Sequence, residues 1–378
     1  MKSLFVHEYS IEDLLKGIDE KIKEGFKPSL AFVYTSVAYD VRKLVAELNR
    51  FPFPIFGATT VGEIFADEEL GVNSEDESII CMLVEADPSA IALKLMPVEG
   101  DDYFGAGVQI GKWAKSNFKE CSIITATAGL NFDNDAYTQG IESTGIEYIF
   151  GGAAGDDLIL KDTFVFSGKN FTDHGVVALA LDSSKIEVIG ARAFGWQGIG
   201  KDRIVTKANK NIVYEIDNKP AIDFYKTYLH IETIDMPQTG IEYPLETTLR
   251  NGQIVYRAIL DINEEDGSLI FAGHVEEKSR VRISAPNGKD IINYVKESLE
   301  DTLKEHKEFK PEIALVFPCC SRKQVLGPLT IKEIEVAYKE AKCPLVGFFA
   351  YGEIGAFPGG YGFHNETFVT ALLRSKEQ

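Results

Sequence analysis

Two pairs of segments in the 378-residue chain repeat one pattern: FKPSLAFVYTS (26–36) with PIFGATTVGEIF (54–65), and FKPEIALVFPC (309–319) with PLVGFFAYGEIG (344–355). Each pair reads Phe-Lys-Pro, an apolar run, a polar segment, a second apolar run and then Gly-x4-Gly-Glu-Ile. Continuous apolar runs are typical of strands buried on both faces of a sheet. Parallel neighbours need a crossover, normally a helix. The repeat therefore predicts two β-loop-α-β units.

The segments between the paired strands carry helical patterns. Helices are expected over 43–49 and 331–341, with Asp40 and Thr330 in front of them as N-caps. Both residue types are suited to that position, because a side-chain oxygen can accept a hydrogen bond from a free backbone N–H of the first turn.

A weaker third copy lies between the two clear ones. CSIITATAG (121–129) reads as a strand, 134–143 as a helix and YIFGGAAGDD (148–157) as a second strand with a glycine-rich end. Aligning the Phe-Gly pairs of the first and third copies places Asp157 opposite Glu63. On this alignment each unit ends in a glycine turn with a carboxylate at its tip.

The rest of the chain is richer in strands. Consecutive antiparallel strands are predicted over 163–167, 175–182 and 186–194, hairpins over 203–216 and 253–275, and helices over 220–229 and 290–306. The predicted fold class is α/β (α+β): two related halves with repeated β-loop-α-β units and additional antiparallel strands. The predicted domains are 27–210 and 211–370.

Charge and composition exclude several classes of function. The formal net charge of −19 argues against nucleic acid, since such binders need a basic surface, and against anionic membranes. No run approaches the roughly 20 apolar residues of a membrane helix, and the N-terminus lacks a signal-peptide pattern. Five cysteines, an odd number, do not indicate a disulfide framework. A cytoplasmic protein is expected.

The candidate site lies where the strands end, because ligands of open α/β sheets bind outside the carboxyl ends of the strands. The fork of Arg322 suits a ligand carboxylate, and Glu63 and Glu353 suit an ammonium group. Structural alternatives stay open: each glutamate could cap its own turn, and Arg322 could pair with an acid such as Glu353. The predicted ligand-binding residues are Arg322, Glu353, Tyr351, Glu63, Thr59, Thr60, Cys319, Asp157 and Asn365.

Several of these segments carry a family resemblance. FGATTVGE (56–63), FGGAAGDD (150–157), VFPCCSR (316–322), GFFAYGEI (347–354) and FHNET (363–367) follow one another as in the FIST sensory domain, named for F-box and intracellular signal transduction proteins. The likeness covers roughly 27–370. One departure is local: the segment Glu276-Glu277-Lys278 replaces the usual Glu-Gly.

The resemblance implies a non-catalytic sensory module that binds a small ligand, with amino acids the favoured candidates. It implies a separate signalling protein, such as a histidine kinase or a receptor, as partner of this stand-alone copy. No cofactor is predicted. Some members of the family bind haem as gas (nitric oxide) sensors, so haem on His174 or His364 is the first alternative.

The second alternative is an enzyme that uses Glu353 or Cys319 as base or nucleophile. Cys319 and Cys320 are adjacent, so a redox role is also open, although such cysteines are more often small buried hydrophobes. No sequence motif indicates a catalytic triad or a metal centre.

Overall fold

The computed structural model describes residues 1–232, 238–358 and 360–376. Within them the chain forms three units of one design: the first (2–85), the middle (91–182) and the last (186–375). Each unit begins with an edge strand and a helix, continues with a strand-helix-strand crossover, and ends with a hairpin and a final strand.

The first unit shows the design most simply. Its elements are β1 (Lys2–Glu8), α1 (Ile11–Lys23), β2 (Leu30–Thr35), α2 (Val41–Leu48), β3 (Ile55–Thr59), β4 (Glu63–Asp67), β5 (Gly71–Glu75) and β6 (Ile79–Glu85). The Asp40 side chain accepts a hydrogen bond from the Lys43 N–H, so it is the N-cap predicted for α2. Strands β2 and β3 are parallel, as the crossover requires.

The middle unit repeats this order. Its elements are β7 (Ile91–Pro97), α3 (Tyr103–Asn117), β8 (Cys121–Ala128), α4 (Asn134–Glu142), β9 (Ile149–Ala153), β10 (Val165–Phe166), β11 (Phe171–Thr172) and β12 (Gly175–Asp182). Strands β8 and β9 are parallel, which confirms the weak third copy.

The last unit opens with β13 (Ile186–Ala193) and then carries an inserted region (196–286). The inserted region contains β14 (Trp196–Asn209), β15 (Ile212–Ile216), β16 (Lys219–Pro220), α5 (Ala221–Leu229), α6 (Gln238–Glu242), β17 (Leu245–Thr248), β18 (Ile254–Arg257), β19 (Ile259–Asn263), β20 (Ser268–Phe271) and β21 (Arg280–Pro286). The β14–β15 and β19–β20 hairpins and the helix α5 agree with the sequence predictions.

The last unit then resumes the common order. Its remaining elements are α7 (Gly288–Glu305), β22 (Ile313–Pro318), α8 (Cys320–Leu326), α9 (Thr330–Ala341), β23 (Leu345–Phe348), β24 (Glu353–Ala356), β25 (Phe363–His364) and β26 (Phe368–Ser375). Thr330 is the first residue of α9 and not its N-cap, which is Leu329. Its hydroxyl instead donates to the carbonyls of Lys323 and Gly327, so the cap prediction was wrong there.

The three units exchange their hairpins in a cycle. The sheet orders are β1-β6-β2-β3-β10-β11, β25-β24-β9-β8-β12-β7 and β13-β26-β22-β23-β4-β5. The first unit thus gives β4–β5 to the last, the middle gives β10–β11 to the first, and the last gives β24–β25 to the middle. The predicted succession of β12 and β13 as paired strands was wrong, because β13 pairs with β26 in another sheet.

One hydrophobic core joins all three sheets. It contains side chains from each unit, among them Phe32, Phe56, Phe150, Phe317 and Phe348, all nearly or fully buried. Helices cover the outer faces: α1 and α2 on the first sheet, α3 and α4 on the second, α7 and α9 on the third. The α+β class with repeated units is therefore confirmed. The domain boundary at 210 stays a prediction; it falls in the turn between β14 and β15.

Candidate functional site

The three glycine turns that follow β3, β9 and β23 meet at one end of the molecule. They are joined by backbone hydrogen bonds between the turns 60–62, 153–157 and 349–352. The bonds run from Val61 N to Phe349 O (3.1 Å), from Tyr351 N to Ala153 O (3.1 Å), from Gly155 N to Thr59 O (2.9 Å) and from Asp157 N to Thr60 O (3.0 Å). Because one turn comes from each unit, a change in the relative position of the three units would alter this junction.

Strand register identifies the equivalent residues at this junction. Glu63 and Glu353 each open an exchanged strand at the same register, and Val165 occupies that place in the middle unit. The alignment of Asp157 with Glu63 was therefore wrong: the middle unit has extra residues before β10, and its equivalent position is apolar. The strand partners of Glu63, Glu353 and Val165 are Phe348, Gly152 and Ala58, respectively. Each partner directly follows the first glycine of the second apolar run in its own unit.

Glu63 is a fully satisfied buried carboxyl group. Its Oε1 accepts a hydrogen bond from the Thr60 hydroxyl at 2.5 Å, and its Oε2 accepts from the Ser78 N–H at 3.1 Å and the Ser78 hydroxyl at 2.9 Å. Burial raises the pKa of Glu63 to about 8 despite these donors. This is the arrangement expected of a residue that holds its own turn.

Glu353 has the same position with fewer donors. Its Oε2 accepts from the Thr367 N–H at 3.0 Å, whereas its Oε1 has no N–H or O–H donor and the carboxyl has only the weakly donating Cys319 thiol beside it. Ala350 stands where the first unit has Thr60, and the hydroxyl of Thr367, which corresponds to Ser78, donates to Asn365 O at 2.9 Å. Glu353 is 0% exposed, and burial raises its pKa well above the usual range.

Further acceptors without donors surround Glu353. The Cys319 thiol lies 2.8 Å from the Ser321 hydroxyl, which in turn donates to Glu366 Oε2. This series of hydrogen bonds leaves Glu366 Oε1 without a partner, and the Oδ1 of the buried Asn365 is also unpaired. Burial raises the pKa of Glu366 to about 8. Buried polar atoms are normally hydrogen-bonded, so three unpaired oxygens in one loop region indicate a missing partner.

Cys319 does not resemble an activated nucleophile. Its thiol is buried, and burial together with the neighbouring Cys320 and Glu366 raises its pKa well above the usual value. A reactive cysteine needs a lowered pKa, because the thiolate is the nucleophile. All five cysteines are free thiols.

Arg322 lies inside the protein, where its guanidinium is already paired. Its guanidinium is 0% exposed and pairs with Glu333, with Nε and Nη2 at 3.0 and 2.5 Å from Oε1. Nη1 donates to the Glu366 carbonyl at 2.9 Å and Nη2 to the Ile291 carbonyl at 3.2 Å. Arg322 is therefore in an ion pair, as the structural alternative expected, but its partner is Glu333 and not Glu353. Ligand binding by Arg322 stays a prediction and is not part of the proposal below.

The remaining predicted residues hold the turns. Thr59 exchanges hydrogen bonds with the backbone of Phe164, accepting from its N–H at 2.9 Å. Asp157 Oδ2 accepts from the Ser36 hydroxyl at 2.7 Å and the Val37 N–H at 3.2 Å, which ties the middle turn to the first unit. The Tyr351 hydroxyl donates to Asp156, which ties it to the last unit.

The two histidines considered for haem differ in their surroundings. His364 is buried, lies 2.6 Å through Nε2 from the Tyr361 carbonyl and 3.0 Å from Arg192 Nη1, and its pKa is lowered well below the usual value by burial. The imidazole is therefore neutral. His174 packs edge-on against Tyr103. Within the described residues no group of three His, Cys, Asp or Glu side chains is placed to hold a metal ion.

Two functional candidates were missed at the sequence level. Glu366 lies in the segment FHNET (363–367), but only its neighbour Asn365 was predicted to bind a ligand. Arg192 lies on β13 next to His364, the strand partner of Glu353, and its guanidinium stacks on Phe357 at 4.2 Å. Burial lowers its pKa to about 10. No spacing signal in the sequence links these residues, because β13 lies in a different sheet from β24 and β25 and is far from them along the chain.

The junction is closed in this structure. Glu63, Glu353 and Glu366 are each 0% exposed. Two surface depressions, of about 350 and 240 Å³, lie elsewhere, beside Phe309 and Arg374 and beside Tyr214 and Asp266. None of the predicted site residues lines either depression, and the donors missing at Glu353 make the junction the stronger candidate.

Comparison with protein families agrees with this picture. Residues 29–219 match the FIST N domain and residues 221–356 match the FIST C domain. The chain therefore belongs to the FIST family, whose domains are sensory domains of signal transduction. A comparison with curated proteins gave no significant match. None of the helices in the described parts of the chain has the length and apolar character needed to cross a membrane.

Proposed function

We propose that the protein is a small-ligand sensor whose ligand places an amino group at the carboxyl of Glu353. The observation that carries the proposal is the unpaired Oε1 of Glu353, set against the fully paired Glu63 in the same position of the first unit. An ammonium group has three N–H donors. Glu353 Oε1, Glu366 Oε1 and Asn365 Oδ1 are three buried oxygens without a partner, and an ammonium group would be accepted by the two carboxyls once they are ionised.

An amino acid or a similar small metabolite fits this chemistry best. Its carboxylate needs a cation, and Arg192 is the candidate, since it adjoins the strand partner of Glu353 while Arg322 is paired with Glu333. The closed junction must open to admit such a ligand. A ligand that binds the open state better than the closed state shifts the units relative to one another, which is what a sensor requires.

The protein acts without catalysis in this proposal, and it passes its signal to a separate protein such as a histidine kinase or a receptor in the cytoplasm. The enzyme alternative lacks an activated nucleophile, because burial raises the pKa of Cys319, and it would rest on Glu353 as a general acid or base. Haem stays the alternative ligand. A Soret band after addition of haem, lost on replacement of His364 or His174, would favour that alternative.

A thermal-shift screen tests the proposal. The compounds are the amino acids, matched amines without a carboxylate, and matched carboxylates without an amine. A ligand at 100 times its dissociation constant adds about 2.7 kcal/mol of stability, which raises the melting temperature by roughly a few degrees. We expect shifts from compounds with an amino group, abolished by Glu353→Gln and retained by Glu63→Gln. Shifts from carboxylates alone, or an unchanged Glu353→Gln protein, would contradict the proposal.

A further inference from the structure

The loop after the middle glycine turn has an unusual tip. Leu158, Ile159 and Leu160 are consecutive apolar residues that are 42, 53 and 56% exposed. Leu158 and Leu160 have φ values of 64° and 57°, and the preceding Asp157 has 54°. Left-handed backbone is uncommon for any residue other than glycine, and rarer still for bulky side chains. The tip therefore combines backbone strain with three exposed apolar side chains.

The strain is held by contacts to all three units. Asp156, 1% exposed, accepts backbone hydrogen bonds from Leu160 N (3.0 Å), Lys161 N (2.6 Å) and Asp162 N (3.1 Å), and its Oδ1 also accepts from the Tyr351 hydroxyl of the last unit. Asp157 binds Ser36 and Val37 of the first unit. Strained residues persist only where their surroundings fix them, and they cluster at functional sites.

The surroundings of the tip are acidic. Asp162, Glu77 and the half-buried Asp157 outnumber the exposed Lys161 that follows Leu160, and Glu77 acts on Asp157 electrostatically. The whole chain carries a formal net charge of −19, which opposes a second copy and an anionic lipid surface as occupants. The complement of an apolar tip with an acidic rim is an apolar pocket with a rim of Lys and Arg side chains.

We propose that Leu158, Ile159 and Leu160 form a docking tip for a partner protein that presents an apolar pocket rimmed by basic residues. The docking claim stands without the ligand claim. Its coupling to the sensor rests on the proposed function: the tip follows directly on the junction of the three turns, so a ligand that shifts the units also releases or re-fixes the tip.

The test uses a photo-crosslinking amino acid at position 159 of the full chain, expressed in cells. The matched control carries the crosslinker at Leu260 on β19, which is 55% exposed. The test variant is Leu158→Asn with Leu160→Asn, since asparagine tolerates left-handed backbone and removes the apolar side chains. Its melting temperature is expected to equal or exceed that of the parent chain, which shows that the variant folds.

We expect one protein species to crosslink at 159, not at 260, and not in the double variant. The purified pair should lose affinity about tenfold or more in the double variant. Its affinity should also fall as salt rises from about 50 to 500 mM, because screening weakens the charged rim. Crosslinks to a second copy or to lipid, equal crosslinking at both positions, or an unchanged affinity of the double variant would each overturn the proposal.

The test separates this inference from the ligand proposal. Ligand binding that survives in the double variant while partner binding is lost supports the tip alone as the docking surface. A partner that binds normally to a Glu353→Gln chain in which the response to ligand is lost supports both claims, whereas a ligand response that persists in Glu353→Gln removes the ligand claim and leaves docking standing. Partner binding that persists both in the double variant and in Glu353→Gln removes the docking tip.

Discussion

At the residue scale, two glutamates in equivalent positions differ in their hydrogen bonds. Glu63 receives three donors, and Glu353 receives one. The difference follows from Ala350 in place of Thr60 and from a hydroxyl of Thr367 that turns to Asn365. The first unit thus shows what the turn needs for its own stability, and the last unit shows a carboxyl oxygen that the fold leaves unpaired.

Thr60→Ala should remove from the first unit the hydroxyl donor that the last unit already lacks at Ala350. Removing the hydroxyl leaves Glu63 Oε1 unpaired in a buried place, and we expect a loss of about 1–3 kcal/mol in the free energy of unfolding. Thr60→Ser keeps the hydroxyl and should lose less than half of that. Denaturant titration measures both; equal losses would show that the methyl group, and not the hydrogen bond, matters at this position.

Arg322→Ala should destabilise the fold rather than remove a ligand contact. Taking away the guanidinium leaves Glu333 as a buried carboxyl without its partner, and such changes cost about 3–5 kcal/mol. Lys332→Ala, which breaks the exposed pair with Glu335, is the control and should cost less than about 1 kcal/mol. A stable Arg322→Ala protein would mean that the pair is not formed in solution.

Sequence alone located the turns but not the partners of their side chains. Glu63 and Glu353 were found because a repeated motif marks them. Glu333, the partner of Arg322, lies 11 positions further on across a helix boundary, and no pattern distinguishes it from the exposed acid Glu335. Asp157 was misaligned because the alignment matched the glycines of the two units, whereas the middle unit has extra residues after its glycine turn.

At the element scale, the exchange of hairpins is the feature that sequence did not predict. Apolar runs identified the strands and the crossovers correctly, because buried parallel strands need both. The same pattern says nothing about which neighbouring sheet a hairpin joins. Strands β4, β10 and β24 each pair with a strand of another unit, and such contacts between distant residues have no local signal.

Gly347→Ala should show how closely the parallel strands β22 and β23 of the last unit pack. A Cβ at Gly347 would lie 1.8 Å from the Val316 carbonyl oxygen, so backbone must move and we expect a loss of about 3 kcal/mol or more. Gly288→Ala, at the start of α7, meets nothing closer than 3.8 Å and should be neutral or stabilising by up to about 1 kcal/mol. Urea unfolding of both variants decides; similar values would contradict the tight pairing.

At the scale of the whole molecule, buried carboxyls should make stability depend on pH. The pKa of Glu63 and that of Glu366 are raised to about 8 in the fold, against 4.5 for an ordinary glutamate. The folded state therefore binds more protons than the unfolded state between these values. The stabilising contribution of each group is complete below about 4.5 and is lost as pH rises toward 8, at up to about 1.4 kcal/mol per pH unit.

The side chain at position 63 does not titrate in Glu63→Gln. The free energy of unfolding of this variant should therefore rise relative to that of the wild type as the pH increases. Unfolding free energies of the two proteins are compared from pH 5 to pH 8, with an exposed carboxyl variant, Glu335→Gln, as control. We expect the difference between Glu63→Gln and the wild type to grow with pH and that of the control to stay flat. Parallel curves for all three proteins would show that Glu63 is ionised in the fold.

The most direct test of the amine site is the proton balance of ligand binding. Burial raises the pKa of Glu353 well above its usual range, so an ammonium group that binds to the ionised carboxylate there should be accompanied by release of a proton, from the carboxyl or from the amine. Calorimetric titration of the ligand in two buffers of different ionisation enthalpy measures this number. We predict release of about one proton by the wild type and by Glu63→Gln, and loss of binding in Glu353→Gln. Tight binding without proton release, or with Glu353→Gln unaffected, would contradict the account.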